Sequence, residues 1–109
     1  MTVAELVQNM DLEAISLPHP DCEVTGAYAG DLLSWVMGRA DEGCVWATIM
    51  TNVNVVAVAT LVGTAAAVVC EGCEIPEDVI AAAREKQINL LRSPLPIYEF
   101  CVAVSKFLQ

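Results

Sequence analysis

Apolar and polar positions change period several times along this chain, and each change marks an element. Thr2 followed by Glu5 has capping-box spacing and predicts a short helix over about residues 2–9. Leu12–Leu17 reads as a first strand, closed by a turn at Pro18, Pro20 and Asp21. Val24–Ala29 reads as a second strand, in which Gly26 marks a bulge or a close backbone approach. Asp31 is placed to cap a short helix over Leu32–Met37 that stops at Gly38. The rest alternates more regularly. Val45–Met50 is a strand with β-branched and aromatic content, and Asn52 or Asn54 caps a helix that runs to about Leu61 and ends at Gly63. Ala66–Cys70 is a buried strand. Pro76 stands at a first helical position with Glu77 and Asp78 behind it, and that helix runs to about Lys86. Ile88–Leu91 is a strand, and Pro94 and Pro96 open a final helix to about Leu108.

Strand, helix, strand, helix, strand, helix in the second half calls for a parallel sheet with crossovers of one hand. The expected architecture is a single compact α/β domain over 1–109, with a mostly parallel sheet and helices on both faces. Gly43–Cys70 carries no charge and is long enough to cross a membrane. Asn52, Asn54, Gly63 and several Thr punctuate it, and acidic residues flank it, so a buried strand–helix–strand crossover is the better reading. The final helix is apolar nearly all round. Its second face is expected to meet a second copy of the chain through Ile97, Tyr98, Phe100, Val104 and Phe107.

Charge removes whole classes of partner. Against 14 Asp and Glu stand 5 Lys and Arg, a net charge of −9. A nucleic-acid binder needs a basic face to neutralise phosphates, and an anionic membrane surface asks for the same. A hydrophobic share of 56% excludes disorder and is more than one small monomer easily hides, which again points to a homodimer. The first residues, MTVAELVQNMDLE, have neither the basic nor the apolar region of a signal peptide, so a cytoplasmic location is expected.

The candidate chemistry is sparse. Cys70-Glu71-Gly72-Cys73 is a C-x-x-C at a strand end, but a structural zinc site needs a second pair, and acidic flanks raise thiol pKa values. The five Cys read as reduced, small hydrophobic residues, with Cys70 and Cys73 the one metal or redox pair to test. His19 stands alone between two prolines as a solvated loop residue. The adjacent pairs Asp41-Glu42 and Glu77-Asp78 do not converge on one point. No phosphate-binding loop, dinucleotide fingerprint, nucleophile elbow or zinc-protease motif is present, so no enzyme and no cofactor is expected. Trp35 and Trp46 read as core anchors. The small residues of Thr25–Ser34 at a strand-to-helix junction make an anion-site candidate, with Thr25, Gly26, Ala27, Asp31 and Ser34 as its residues and Ser93 before the last helix as a second, separate position.

The run Asp21-Cys22-Glu23-Val24-Thr25-Gly26-Ala27, continued to Gly38, resembles the signature of the DRTGG domain family. Asp21, Thr25 and Gly26 match; Cys22 stands where the family favours Arg, and Ala27 where it favours Gly. Trp46–Ala59, the Glu71-Gly72 pair and Leu91–Pro96 extend the resemblance over essentially the whole chain. It implies a fold like the N-terminal domain of HPr kinase/phosphorylase. It also implies a regulatory or interaction role, since such domains occur alone and fused to CBS domains in pyrophosphatases and to phosphotransacetylase. HPr kinase chemistry is not implied, for want of a phosphate-binding loop. Three functions follow as expectations: a homodimeric regulatory domain binding a small anionic or nucleotide ligand, an accessory docking protein of an anaerobic, hydrogenase-type redox complex, and a thiol or metal protein using Cys70 and Cys73.

Overall fold

A computed structural model describes residues 1–108. The elements follow in the order α1 (Val3–Met10), β1 (Glu13–Ser16), β2 (Gly26–Ala29), α2 (Leu33–Arg39), β3 (Cys44–Thr48), α3 (Asn54–Val62), β4 (Ala66–Val69), α4 (Glu77–Glu85), β5 (Leu90–Arg92) and α5 (Ile97–Phe107). One five-stranded sheet has the order β1-β5-β4-β3-β2. β2 to β5 run parallel, and β1 closes one edge antiparallel to β5.

The mostly parallel α/β expectation holds, and alternation along the strands builds it. Val45 and Ala47 of β3, Ala66 and Val68 of β4 and Leu91 of β5 face one layer, made by Val3 and Leu6 of α1 and Phe100 and Val104 of α5. Cys44, Trp46, Ala67, Val69 and Leu90 face the other, made by Val36 of α2, four residues of α3, and Val79 and Ala83 of α4. The three crossover helices therefore share one face, as crossovers of one hand require when each step moves to the next strand. β3 and β4 are buried along their whole length, which explains the uncharged stretch without a membrane. Among the described residues, no helix is long and apolar enough to cross one.

Local signals place several ends correctly. Thr2 Oγ1 accepts from the Glu5 N–H at 3.2 Å and the Glu5 carboxylate accepts from the Thr2 N–H at 2.9 Å, a complete capping box. Gly63 ends α3 at φ 76°, and its carbonyl accepts from Gly43, itself at φ 82°. A Cβ on Gly43 would lie 2.6 Å from Thr25 Oγ1, so this turn admits only glycine.

Other expectations need correction. Asp31 does not cap α2; the cap position is Leu32, without a side-chain bond, because the Asp31 carboxylate is drawn across to β3. α2 also runs past Gly38 to Arg39. The α3 cap position is Val53, with Asn52 Oδ1 accepting from the Asn54 N–H in a turn just before it. Pro76 is the cap of α4 rather than its first residue. Gly26 marks neither a bulge nor a close approach: β2 keeps register with β3 throughout, and the space around Gly26 is open. The register shift lies in β1, between Ala14 and Ser16. β5 begins at Leu90, since Asn89 is occupied otherwise: its side chain accepts from the His19 N–H and donates to the carbonyls of His19 and Ala65.

Candidate functional site

In open parallel sheets ligands gather outside the carboxyl ends of the strands. Four loops form that rim here, following β2, β3, β4 and β5. At the β2 and β3 ends, Asp31 Oδ1 accepts from Thr48 Oγ1 at 2.7 Å and from the Ile49 N–H at 2.9 Å. Thr48 Oγ1 in turn accepts from the Met50 N–H. Behind them the buried Trp46 donates its indole N–H to the Gly30 carbonyl at 2.9 Å. A Cβ at Gly30 would lie 3.1 Å from the Tyr28 ring, a contact that a shift of the ring by a few tenths of an ångström relieves.

At the β4 and β5 ends the chain closes on itself. Glu71 and Gly72 both take φ 64°, making a tight turn after β4. The Glu71 N–H donates to Leu95 and the Gly72 N–H to Ser93. The Glu71 carboxylate accepts from the Ile97 N–H at 2.9 Å, so α5 receives its cap from another loop. Arg92 donates to the carbonyls of Cys73 and Gly72, each at 2.9 Å, and pairs with Glu13 at 3.2 Å.

These bonds decide where the residues expected from sequence stand. Thr25 opens β2 and donates its hydroxyl to the Glu42 carbonyl, whereas Asp31 and Ser34 lie beyond the other end of the strand. Gly26 and Ala27 sit in the strand between, so the set does not converge on one point. Ser93 is fully buried and its Oγ accepts from the Leu95 N–H, a turn-former with no surface to offer an anion. On α5, Phe100 and Val104 are each 1% exposed and turn into the core; Ile97 is half-buried, while Tyr98 at 76% and Phe107 at 39% stay open. Trp46 is a core anchor as expected. Trp35 is not: it is 52% exposed, with the Arg39 guanidinium stacked 3.7 Å from its ring centre.

Sequence reasoning missed Glu71, Arg92 and Thr48. One signal for Glu71 was present. The residues before α5 are Pro94, Leu95 and Pro96, none of which caps a helix, so the cap had to come from a distance.

All five thiols are free. Burial, reinforced by the neighbouring Cys101 thiol and the Glu71 carboxylate, pushes the Cys70 thiol up to about 12. Burial also raises Cys44, with Asp41 adding to it, and raises Cys101. A thiol so raised is neither a good nucleophile nor a ready metal ligand. Among the described residues no group of three or more His, Cys, Asp or Glu gathers to hold a metal ion.

No protein-family model matches the chain, and no curated protein matches it in sequence. Among solved structures it is similar to the CBS and DRTGG domains of the regulatory region of Clostridium perfringens pyrophosphatase, crystallised with an activator, diadenosine tetraphosphate. The TM-score is 0.72 over 99% of this chain, at 12% identity, and the match spans 46% of that longer chain. The shared feature is the fold, and it agrees with the DRTGG resemblance of Asp21–Gly38.

Proposed function

We propose that this chain is a non-catalytic regulatory or interaction domain that works as a homodimer and takes a small anionic or nucleotide ligand at its rim. The observation that carries the reading is how the rim spends its polar groups. Glu71 caps α5, Asp31 ties the loop after β2 to the end of β3 and Arg92 braces a turn, so these three side chains are engaged inside the molecule, while Trp35 and Arg39 stay open to solvent. An exposed indole beside a guanidinium suits a nucleobase with a phosphate, and Ser34 is exposed next to it. The fold likeness to a regulatory region crystallised with a dinucleotide activator supports the same direction.

Thermal unfolding of the full chain with AMP, ATP, diadenosine tetraphosphate and inorganic phosphate tests this. A ligand at ten times its Kd adds about 1.4 kcal/mol and raises Tm by several degrees for a domain of this size. The rise should vanish in Trp35→Ala, whose exposed site leaves folding intact. No rise with any of the four rejects the ligand.

A second reading, an accessory docking protein of an anaerobic redox complex, draws on exposed apolar residues: Leu32, Ile49 and Val53 beside the rim and, at 74%, Leu61 in the last turn of α3. It predicts co-purification with a larger enzyme and no response to nucleotides.

A further inference from the structure

We propose that the homodimer forms by antiparallel pairing of β2 with β2 of a second copy, about a two-fold axis through Tyr28, so that two five-stranded sheets become one. This rests on the homodimeric reading above and names the surface that makes it.

The two edges of the sheet are treated differently. The β1 edge is guarded in the ways that block sheet-to-sheet association: it carries Glu13, a register shift between Ala14 and Ser16, and Pro18 just beyond. The β2 edge has none of these. From Gly26 to Gly30 it is regular and holds no charge and no proline, and the antiparallel contact of Thr2 with Glu23 stops short of it. The Gly30 N–H donates to the Ala47 carbonyl at 3.1 Å, which assigns the even-numbered residues of β2 to the ladder with β3. Alternation along a parallel ladder then turns the N–H and C=O of Ala27 and Ala29 outward. Both residues are exposed, and among the described residues no helix or loop backbone bonds to either.

The occupant follows from the sequence of this edge. Gly26-Ala27-Tyr28-Ala29-Gly30 reads the same in both directions. In antiparallel pairing centred on Tyr28, Ala27 of one copy faces Ala29 of the other, and these two exchange both main-chain hydrogen bonds, twice over by symmetry. Gly26 faces Gly30, and Tyr28 faces its equivalent. A two-fold interface must be self-complementary, and this strand is so at each position. Charge agrees. In a molecule of net charge −9, most surfaces brought together by two-fold symmetry risk facing acid with acid. Here the nearest acid past the strand, Asp31, falls opposite Thr25. The pairing also sets side by side the two shallow grooves, each about 200 Å³, that Ala27 and Ala29 form with Phe100, Cys101 and Val104 of α5.

The experiment combines sedimentation of the wild-type chain with residue-resolved amide exchange and a charge swap. The expected result is a dimer in which the Ala27 and Ala29 amides exchange slowly although they lie on a strand edge. Ala27→Glu with Ala29→Glu places like charges opposite each other across the axis and should weaken association about tenfold or more. Ala27→Lys with Ala29→Glu places opposite charges there and should keep the dimer, an outcome that mere damage to the strand would not give. A dimer whose Ala27 and Ala29 amides exchange freely and which Tyr98→Asp dissociates overturns the inference and leaves the homodimeric reading standing on α5. A wild-type monomer at NMR concentrations overturns both.

Discussion

Two tryptophans eleven residues apart carry the same side chain to opposite ends. Trp46 lies in a strand covered on both faces, and its N–H is satisfied by the Gly30 carbonyl, so the loop after β2 is tied to β3 through one bond. Trp46→Phe keeps most of the apolar bulk but leaves that carbonyl without its donor. A loss of about 1–3 kcal/mol is expected by urea unfolding. Trp35 reads as core in the sequence but stands open, because α2 buries a single residue, Val36, and a neighbour one step along is turned by about 100° and points out. The apolar content of such a short helix does not say which positions face inward. Cys70 adds a pH signature. Its unfolded thiol ionises near 9.0 and its folded thiol near about 12, so the stability it holds is complete below pH 9 and is lost as pH rises through about 12. Cys70→Ala should flatten that alkaline limb in unfolding curves followed against pH, and the native wild-type Cys70 should resist thiol reagents at pH 8.

Element ends separate what local sequence can tell from what it cannot. The α1 capping box closes within four residues, and Thr2 and Glu5 announced it. The Thr2 backbone and hydroxyl hold the Glu5 carboxyl below its usual value of 4.5. The cap therefore contributes above that pH and fades as pH falls through the lowered value, a dependence that Glu5→Gln should remove from acid unfolding. Asp31 and Glu71 have the residue types of caps too, but their targets are Thr48 and Ile49 in one case and Ile97 in the other. Nothing near them in sequence names those partners, because crossovers of the sheet bring them together. Elements and a mostly parallel sheet were thus legible from periodicity, while the strand order, the antiparallel seat of β1 on β5 and the rim, all set by contacts distant in sequence, were not. Glu71→Asn tests the α5 cap. Asn tolerates the left-handed backbone that Glu71 adopts at φ 64° but is one carbon too short for the same reach, so a loss of about 0.5–2 kcal/mol is expected in urea. A loss no larger than at an ordinary surface site would show that Ile97 finds another partner.

Over the whole molecule, the net charge of −9 sets how copies meet. Two such chains repel at long range, and pairing through an uncharged strand offers no ion pairs in return. Salt should therefore strengthen self-association: between about 20 and 200 mM, screening shortens from roughly 20 Å to under 10 Å and the dimer constant should rise several-fold in sedimentation. A fall with salt would indicate an interface held by opposite charges instead. The sheet order carries a consequence of another kind, for the order in which the molecule is made. From β2 to β5, each strand pairs with the one before it in the chain, so the parallel sheet can grow as residues are added. β1 alone must wait. Among the described residues its only sheet partner is β5, and the Arg92–Glu13 pair and the Asn89 bonds to His19 likewise span some seventy residues or more. During synthesis the first strand to appear is the last to be seated, and until Leu90–Arg92 exists the growing sheet has β4 as its open border, a buried strand of Ala and Val with no guard of its own.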